Sequence, residues 1–367
     1  MENRPEEKYM RRAIELARKG EGFTNPNPMV GAVIVKDGRI IGEGYHRRYG
    51  DLHAERDALA SLKEDAEGSA IYVTLEPCCH HGKQPPCTEA IIENGIRKVV
   101  IGSRDPNPLV AGKGVRLLKD AGIEVTEDFM REDCDAINPV FFKYITTGRP
   151  YVVLKYAMTM DGKIATVTGA SKWITGEESR NKVQYLRHRY MAVMAGIGTV
   201  LADDPMLNTR IDGLKSPIRV IADSHLRIPM DSNIVRTSGE YRTILAHCMD
   251  DAEGKVKEEE LVKAGIEPVR TPQKDGHVDV SYLVEYLGRQ GIDSVLVEGG
   301  GTLNDSLIRA GLVDRVEAFI APKAFGGAGA RSPVEGIGID RVDEAELFKL
   351  AEINRYGDDI QLSYVRS

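Results

Sequence analysis

A histidine, a glutamate and two cysteines form the pattern that most constrains how this chain can fold. A single residue separates His53 from Glu55, and the later segment from Pro77 to Cys87 reads PCCHHGKQPPC, with Cys78 directly after its first proline. Zinc binds histidine nitrogen and cysteine sulfur, and a catalytic zinc site has three protein ligands and a fourth position for water. The fold must therefore bring separated segments together at one point.

The carboxylate next to the histidine suits a role other than ligation. Zinc lowers the pKa of its bound water to ~7, and a carboxylate that is not a ligand can then carry the proton. We predict a helix from Ala54 to Lys63 with Glu55 in its first turn, a strand from Ile71 to Leu75, and a helix from Thr88 to Asn94 that Cys87 precedes. A helix N-terminus lowers the pKa of a cysteine thiol, which favours the thiolate.

Taken singly, each of these residues has an ordinary structural interpretation. His53 could cap a helix or pack locally, and Cys78 and Cys87 could be small buried side chains. The complete order, His-x-Glu followed by Pro-Cys and then Cys, matches the signature of zinc-dependent deaminases, although that signature carries Pro-Cys-x-x-Cys. We therefore predict that His53, Cys78 and Cys87 bind zinc and that Glu55 moves the proton.

The wide cysteine spacing accompanies three further motifs. They are NPNPMVGAV at 25–33, TLEPC at 74–78 and DPNP at 105–108. Together these segments resemble the deaminase half of the bifunctional riboflavin-biosynthesis deaminase-reductases, which implies a cytidine-deaminase-like α/β/α sandwich with one zinc ion per chain. The chain departs from this family at Cys79, where a small hydroxyl residue is usual. Either neighbouring thiol could bind the metal, and Cys78 is assigned by position.

The substrate implied by this resemblance carries a ribose phosphate, so its pocket needs polar and cationic side chains. His80 and Lys83 lie in the loop between the two cysteines, and Asn27 and His46 flank the predicted strands. A loop lysine is usually no more than a solvated side chain. We predict that these four residues contact the substrate of the first half.

Charge and cysteine content restrict the classes of substrate and the cellular compartment that we expect for this chain. Its 367 residues include 49 Lys+Arg and 56 Asp+Glu, a net charge of −7, and the first half has no basic excess. A tRNA or DNA substrate would call for a positively charged surface, so we expect no nucleic acid. The family resemblance implies a small phosphorylated pyrimidine as the substrate. The cysteines suggest no disulfide framework, and neither a signal peptide nor a long apolar span is evident. We expect a cytoplasmic homo-oligomer without membrane association.

Predicted strands and helices alternate along the chain, which is typical of α/β folds. The length favours two domains. The apolar segment Phe141–Ile145 is followed by TTGRP and by a new apolar strand, Tyr151–Leu154, so we predict domains over residues 1–147 and 148–367. The sequence TGEE at 175–178 predicts a capping box at the start of a helix.

A glycine turn in the second domain indicates a phosphate site. The predicted strand Ser294–Glu298 runs into GGGT at 299–302, and a helix from Leu303 to Ala310 follows. Such a turn directs backbone N–H groups and the positive end of a helix towards a phosphate. Three glycines alone are weak evidence, because they lack the fixed spacing of the dinucleotide-binding fingerprint.

Other segments of the second domain resemble the reductase half of the same bifunctional family. They are LKYAMTMDGKIA at 154–165, SKWIT at 171–175 and GTVLADDP at 198–205. The resemblance implies a dihydrofolate-reductase-like α/β domain that binds NADPH. It assigns the cofactor contacts to Ala157, Trp173, Thr199, Asp203, Ser224, Gly300, Gly301, Thr302, Leu303, Asn304, Asp305 and Ser306. It assigns the substrate contacts to Ser171, Arg187, Leu207, Arg210 and Glu298.

Three of these assignments also agree with the chemistry of the side chains. Arg187 and Arg210 carry the fork-shaped donors that suit a phosphorylated sugar, and Trp173 offers a flat aromatic face. Each of them alone would more often be a solvated arginine or a core aromatic residue. The resemblance and the chemistry together favour a substrate and cofactor site.

The family resemblance implies a two-step activity in riboflavin biosynthesis. The first step hydrolytically removes an amino group from 2,5-diamino-6-ribosylamino-4(3H)-pyrimidinone 5′-phosphate. The second step reduces the ribosyl group of 5-amino-6-(5-phosphoribosylamino)uracil to ribityl with NADPH, and Lys155 and Asp203 are the candidate acids. Two alternatives stay open, a single-activity deaminase whose second domain binds a regulatory nucleotide, and a nucleic-acid editor built on the same zinc site.

Overall fold

The chain divides into two compact units, Met1–Gly148 and Arg149–Ser367. The computed structural model describes residues 5–80, 85–107 and 110–367. The predicted boundary, between residues 147 and 148, lies beside this division. No helix within the described ranges is both long and apolar enough to cross a membrane.

A mixed five-stranded sheet forms the centre of the first unit. In chain order its strands are β1 (Gly31–Lys36), β2 (Arg39–Tyr45), β3 (Ala70–Leu75), β4 (Lys98–Ser103) and β5 (Glu124–Thr126). Their spatial order is β2-β1-β3-β4-β5, with β1 antiparallel to its two neighbours and β3, β4 and β5 parallel. The carboxyl ends of β3 and β4 therefore lie at the same edge.

Helices cover both faces of this sheet. They are α1 (Glu7–Arg18), α2 (Ala54–Ala60), α3 (Cys87–Glu93), α4 (Lys113–Asp120), α5 (Arg131–Asp135) and α6 (Pro139–Thr147). Successive strand residues point to opposite faces. On β1, Ala32 and Ile34 join one core cluster, which includes residues of α2, α3 and α4, and Val33 and Val35 join a second cluster with α1. This arrangement confirms the predicted α/β/α sandwich.

Helix α1 lies unusually close to the sheet at Gly31. A Cβ atom at this position would lie 1.9 Å from the carbonyl oxygen of Ala13 in α1. Real Cβ atoms do not approach backbone oxygen this closely, so the contact requires glycine. The packing of α1 against β1 therefore requires glycine at position 31.

The second unit contains a nine-stranded sheet with a short separate hairpin. In chain order its strands are β6 (Tyr151–Thr159), β7 (Ala192–Gly196), β8 (Ile218–Ala222), β9 (Thr243–His247), β10 (Glu267–Arg270), β11 (Gln273–Lys274), β12 (His277–Val278), β13 (Ser294–Val297), β14 (Arg315–Ala321), β15 (Phe348–Tyr356) and β16 (Asp359–Arg366). The large sheet has the order β10-β9-β8-β7-β13-β6-β14-β16-β15, and β11 pairs with β12. The strands from β10 to β14 in this order are parallel, and the last two pairs are antiparallel.

Helices again pack on both faces of this large sheet. They are α7 (Glu177–Arg189), α8 (Ile197–Asp203), α9 (Asn233–Arg236), α10 (Ala252–Lys263), α11 (Val280–Arg289) and α12 (Gly301–Arg309). One buried cluster combines Met194 of β7 and Val297 of β13 with residues of α11 and α12. The opposite cluster combines Val193 of β7 and Leu245 of β9 with residues of α8, α9 and α10. Each unit thus has its own core on both sides of its own sheet.

The predicted capping box at residues 175–178 is wrong. Gly176, and not Thr175, is the N-cap residue of α7, and no side chain of the predicted box caps the helix. The carboxylate of Asp359, at the start of β16, accepts hydrogen bonds from the Gly176 N–H at 2.7 Å and from the Ser179 hydroxyl at 2.6 Å. A distant residue therefore supplies the cap.

Other boundaries differ from the predictions for local reasons. The helix predicted from Ala54 to Lys63 ends at Ala60, where the Oγ of Ser61 lies 2.8 Å from the carbonyl oxygens of both Ala58 and Glu43 and can donate to either. The apolar segment Phe141–Ile145, which was expected only to precede the boundary, lies inside α6. Sequence patterns also missed the strands β14, β15 and β16 at the end of the chain.

We predict that a fragment ending at Gly148 folds alone, because both faces of its sheet are covered by helices of the same unit. Thermal unfolding followed by circular dichroism should show a single cooperative transition for this fragment and for the complementary fragment beginning at Arg149. A soluble first fragment that unfolds without cooperativity would show that its core needs the second unit.

Candidate active sites

Three ligand groups converge in the first unit, where two helices begin and one strand has just ended. His53 is the N-cap residue of α2, Cys87 is the first residue of α3, and Cys78 follows β3. The Nδ1 atom of His53 lies 3.4 Å from the Sγ of Cys78 and 3.4 Å from the Sγ of Cys87. All three ligand atoms lie within 4.8 Å of one another, and no other described residues form such a group.

The chemistry of these donors fits a zinc ion. Hydrogen bonds from Cys87 and His53 lower the pKa of Cys78 to about 4, which favours its thiolate form. The hydrogen bond to Cys78 and burial raise the pKa of Cys87 well above its usual range. Zinc takes such imidazole and thiolate donors and would compensate the negative charge that the two sulfurs concentrate. Cys79 lies outside the group, and burial raises its pKa.

The carboxylate of Glu55 is buried next to this metal-binding group, and 3 % of the residue is exposed. Burial raises the pKa of Glu55 to about 7, and the charge of Cys78 acts in the same direction. A group that accepts and then donates a proton works best when its pKa is near the working pH. Glu55 therefore has both the position and the acidity of a proton carrier.

A second buried carboxylate supports the loop that carries Cys78. Glu76 accepts hydrogen bonds from the backbone N–H groups of Gly112 at 3.1 Å and Val115 at 3.3 Å, where α4 begins. A helix start leaves these N–H groups without partners of its own. Gly114 allows the close approach, because a Cβ there would lie 2.3 Å from the carbonyl oxygen of Pro77. The role of Glu76 was not predicted, although it belongs to the TLEPC motif.

The structure brings Asn27 and His46 next to the metal-binding group. The ring of His46 meets the ring of His53 edge to face, with centroids 5.7 Å apart. Its Nδ1 lies 3.0 Å from the carbonyl of Leu52 and its Nε2 lies 3.2 Å from the Asn27 side-chain nitrogen. Because a carbonyl only accepts, Nδ1 carries the proton and Nε2 accepts from Asn27. Burial lowers the pKa of His46, which favours this neutral form.

The remaining predicted contacts of the first unit are less enclosed. His80 is exposed, and Lys83 lies outside the residues that the structure describes. Asp105 is buried near His80, and burial together with the negative charge of Glu76 raises its pKa to about 6. Asp105 belongs to the DPNP motif but was not predicted as a site residue. Its burial next to the metal-binding loop is what suggests a role, and the sequence does not show that burial.

In the second unit, a cavity of about 1540 Å³ lies along β6 and at the carboxyl ends of β7, β8 and β13. This edge of a parallel sheet is where α/β folds bind ligands. The predicted residues that line it are Lys155, Ala157, Ser171, Trp173, Arg187, Thr199, Asp203, Leu207, Arg210, Ser224, Glu298, Gly300, Gly301, Thr302, Leu303 and Ser306. The cavity thus gathers residues from segments far apart in the chain.

Two predicted cofactor contacts, Asn304 and Asp305, do not line this cavity. The helix α12 begins at Gly301 within the glycine turn, and each residue rotates the side chain by about 100° around the helix axis. Asn304 donates to the carbonyl of Pro333 at 2.7 Å, and the Asp305 carboxylate lies 3.7 Å from Arg309. Their side chains therefore hold the neighbouring loop and the helix itself.

Glu298 is a largely buried anion that contacts two cations. Its carboxylate accepts from Nε and from one terminal nitrogen of Arg187, at 2.6 and 2.9 Å, and lies 3.7 Å from Nζ of Lys155. Burial alone would raise the pKa of Glu298, but Arg187 and Lys155 lower it to about 2. Arg187 also donates to the carbonyl of Asn208 at 3.0 Å. The guanidinium group of Arg187 thus donates to protein acceptors, whereas the sequence predicted that it suits a phosphorylated sugar.

Burial lowers the pKa of Lys155, and the positive charge of Arg187 acts in the same direction. The amine of Lys155 faces Glu298 inside the cavity wall. A lysine with a lowered pKa gives up a proton more readily near neutral pH. This environment suits an acid in the second reaction.

Asp203 is the last residue of α8, so it cannot cap the start of a helix. Its carboxylate accepts from the Ser171 hydroxyl at 3.3 Å and lies 3.7 Å from Nζ of Lys172. The loop that carries Ser171 is thereby joined to α8 at the edge of the cavity. These contacts are compatible with a role of Asp203 in the reaction and also with a purely structural role.

Aromatic and cationic side chains form another part of the cavity wall. Trp173 is 60 % exposed, and the Arg180 guanidinium lies 4.7 Å from the centre of its ring. Arg180 also donates to the carbonyl of Thr175 at 2.7 Å. The lining residues that sequence reasoning missed include Lys172, Arg180, Gln184, His225, Arg227 and His277. Lys172 belongs to the SKWIT motif, but no motif marks the others, because the fold alone brings them to the cavity.

Family models match both units of the chain. The cytidine and deoxycytidylate deaminase zinc-binding region matches residues 3–103, and the RibD C-terminal domain matches residues 150–362. The first match contains His53, Cys78 and Cys87, and the second contains the whole cavity. These matches imply zinc for the first unit and an NADPH-type cofactor for the second.

Full-length relatives have the same two units. The riboflavin biosynthesis protein RibD of Actinobacillus pleuropneumoniae is 53% identical, covering 97% of this chain and 94% of its own. RibD of Escherichia coli is 42% identical, covering 98% and 99%. Among solved structures, Acinetobacter baumannii RibD (TM-score 0.87, 38% identity) and a Thermotoga maritima diaminohydroxyphosphoribosylaminopyrimidine deaminase/5-amino-6-(5-phosphoribosylamino)uracil reductase (TM-score 0.87, 40% identity) each match over 98% of both chains. The chain therefore belongs to the RibD family of bifunctional riboflavin-biosynthesis enzymes, with a deaminase unit followed by a reductase unit.

Proposed function

We propose that this chain first deaminates 2,5-diamino-6-ribosylamino-4(3H)-pyrimidinone 5′-phosphate and then reduces the ribosyl group of the product, 5-amino-6-(5-phosphoribosylamino)uracil, to ribityl. The observation that carries this proposal is the presence of two different constellations in separate units. One is the His53, Cys78 and Cys87 group with buried Glu55, and the other is the large cavity with a glycine turn. A Thermotoga maritima relative is described by the same two activities.

In the first reaction, water replaces the amino group on the pyrimidine ring, and ammonia leaves. One zinc ion per chain, held by His53, Cys78 and Cys87, would polarise the attacking water. Glu55 accepts a proton from that water and donates it to the departing nitrogen, so no further acid is needed. Asn27 and His46 border the ring-binding space, and we assign His80 and Lys83 to the polar end of the substrate.

The second reaction adds a hydride to the anomeric carbon of the sugar, which NADPH would supply when bound in the cavity. The glycine turn at the start of α12 and the cavity residues Ala157, Trp173, Thr199 and Ser224 would hold the cofactor. The C1′–N bond reacts as an open-chain imine, so a proton must reach the ring oxygen as the ring opens. Lys155 and Asp203, which both line the cavity, are the candidates for this proton transfer.

The substrate phosphate of the reductase needs a cation that has no other partner. Arg187 is committed to Glu298 and Asn208, whereas the side chain of Arg210 makes no hydrogen bond or ion pair within the described part of the chain. We therefore assign the phosphate contact to Arg210, and Ser171 and Leu207 also line the cavity. Arg187 acts by fixing Glu298, whose carboxylate can accept hydrogen bonds from the substrate.

Two further properties belong to this proposal. We place the enzyme in the cytoplasm, where the five free cysteines would stay reduced, and we expect it to act as a homo-oligomer.

NADPH oxidation that depends on added substrate would exclude the alternative of a deaminase with a regulatory nucleotide domain.

Cys87→Ser should lose most of its zinc, because a hydroxyl replaces thiolate poorly. Cys79→Ser serves as the matched control and should keep about one ion per chain, because Cys79 lies outside the ligand group. Metal analysis of both purified proteins measures this. An empty site in Cys79→Ser beside a loaded one in Cys78→Ser would reverse the assignment of the adjacent thiols.

Glu55→Gln should retain zinc, because Glu55 is not one of the three ligands. Ammonia release should fall by ~10²–10⁴-fold, because the amide cannot carry the proton. Reduction of the already deaminated substrate provides the internal control and should proceed at the normal rate. Near-normal ammonia release by this variant would remove Glu55 from the mechanism.

Asp203→Ala should impair reduction of the deaminated substrate by ~10²-fold or more and leave ammonia release intact, if Asp203 supplies the proton. Its ion pair is partly exposed, so the variant should lose no more than about 1 kcal/mol of stability. Asp203→Asn, which keeps the hydrogen bond to Ser171, should be equally impaired. Normal turnover of the alanine variant would leave Lys155 as the candidate acid.

A further inference from the structure

The DGK motif at residues 161–163 has no part in either reaction as assigned above. Asp161 and Lys163 lie just after β6, in the loop that leads to α7, and neither of them lines the cavity. Their side chains instead contact residues 322–336, which follow β14 and which we call the bridging segment. The contacts of this segment indicate what the motif does.

Asp161 holds the first part of the bridging segment. Its carboxylate accepts hydrogen bonds from the backbone N–H groups of Phe325, at 3.2 Å, and Gly326, at 2.7 Å. The hydroxyl of buried Thr159 donates to the same carboxylate. The hydrogen bond from Thr159 and that from the Gly326 N–H lower the pKa of Asp161 to about 2, so the carboxylate stays ionised at neutral pH. A charged acceptor makes stronger hydrogen bonds than a neutral one.

Further contacts from the same loop hold the middle of the bridging segment. Nζ of Lys163 donates to the carbonyl of Ala330 at 3.2 Å, and the backbone N–H of Ile164 donates to the carbonyl of Arg331 at 2.9 Å. Ile164 and Arg331 both line the cavity. The bridging segment is therefore part of the cavity wall, and the DGK motif helps to fix the position of that wall.

The far end of the bridging segment packs against the start of α12. The backbone N–H of Glu335 donates to the carbonyl of Gly301 at 3.1 Å, and the Asn304 side chain donates to the carbonyl of Pro333 at 2.7 Å. A Cβ atom on Gly301 would lie 2.4 Å from Cγ of Glu335, so this contact leaves no room for a side chain. The bridging segment thus supports the glycine turn that we assign to the cofactor.

The near end of the bridging segment contacts Trp173. Nζ of Lys323 donates to the backbone carbonyl of Trp173 at 2.7 Å. The backbone N–H of Met160, directly before Asp161, donates to the carbonyl of Lys323 at 2.9 Å. Because Trp173 is 60 % exposed, burial contributes little to its position, and contacts at its backbone contribute correspondingly more.

One segment therefore connects the two sides of the cavity that we assign to the cofactor. Trp173 contacts one end of the bridging segment, and the glycine turn contacts the other. Binding groups have to be held within about 0.5 Å of their productive geometry by the residues behind them. Loss of the hydrogen bonds to Asp161 would free the bridging segment to shift and would disturb both sides of the cavity.

We propose that Asp161 is a positioning residue for the reduction, which acts through the bridging segment and Lys323 to set the position of Trp173 relative to the glycine turn. Asp161 lies outside the cavity lining, so its loss should weaken cofactor binding and leave the chemical step of the assembled complex largely intact. The proposal rests on the proposed reductase function and adds to it a residue that keeps the cofactor site in shape.

Asp161→Ala should raise KM for NADPH by ~10-fold, because hydrogen bonds to a charged acceptor are lost, and should lower kcat much less. Asp161→Asn keeps an acceptor oxygen for one N–H group and should give an intermediate KM. Steady-state NADPH oxidation with saturating deaminated substrate measures both constants. Asp343→Ala removes an exposed aspartate that pairs with Arg341, and this matched control should keep the wild-type KM.

The fluorescence of Trp173 gives a second readout, which needs no turnover. The chain has a single tryptophan, so selective excitation reports on this residue alone. In Asp161→Ala and in Lys323→Met, the anisotropy of this emission should fall and its quenching by acrylamide should rise. Lys323→Arg keeps a donor and should restore the wild-type values. A purely structural role of Asp161 would lower the melting temperature and leave the tryptophan signal and KM of the folded variant unchanged.

Lys323→Met changes an exposed side chain, so it tests the same link even if Asp161→Ala does not fold. Unchanged anisotropy or an unchanged KM for NADPH in Lys323→Met, or in folded Asp161→Ala, would overturn the proposal. Failure of the wild type to oxidise NADPH with the deaminated substrate would instead contradict the reductase function. The fluorescence of the variants would then still decide whether Asp161 positions Trp173.

Discussion

Both sites depend on one geometric constraint, the meeting of helix N-termini with the carboxyl ends of parallel strands. In the first unit, β3 leads to Cys78 while α2 and α3 begin at His53 and Cys87. In the second unit, β13 leads into the glycine turn at which α12 begins. Helix N-termini stabilise thiolates and phosphates alike, so the same backbone geometry supports a metal site in one unit and an anion site in the other.

Buried charges give each site its chemical character. Burial brings the pKa of Glu55 to about 7, which suits a group that must accept and release a proton. Glu298 has the opposite balance, because Arg187 and Lys155 keep it ionised in spite of its burial. Removing one partner of such a buried set is costly, whereas the complete set adds little stability. We infer that the contacts among Arg187, Glu298 and Lys155 serve mainly to hold the side chains of Glu298 and Lys155 in position at the cavity.

The sequence predicted those features that depend on short segments. The metal-binding residues and Glu55 belong to compact motifs, and the glycine turn lies between a strand and a helix that periodicity identifies. Features that depend on distant pairing were missed, such as the cap that Asp359 provides for α7 and the commitment of Arg187 to Glu298. Asn304 and Asp305 were assigned by resemblance alone, and the helix rotation that turns them away from the cavity became visible only in the structure.

The most direct measurement is a single time course of ammonia release and NADPH oxidation after the chain is mixed with the diaminopyrimidine substrate. With two successive sites, we expect ammonia to appear first and NADPH oxidation to follow with a lag. After treatment with a chelator, ammonia release should stop, while NADPH oxidation with the deaminated substrate should continue. NADPH oxidation that precedes ammonia release, or that the chelator abolishes with the deaminated substrate, would contradict two separate and successive sites.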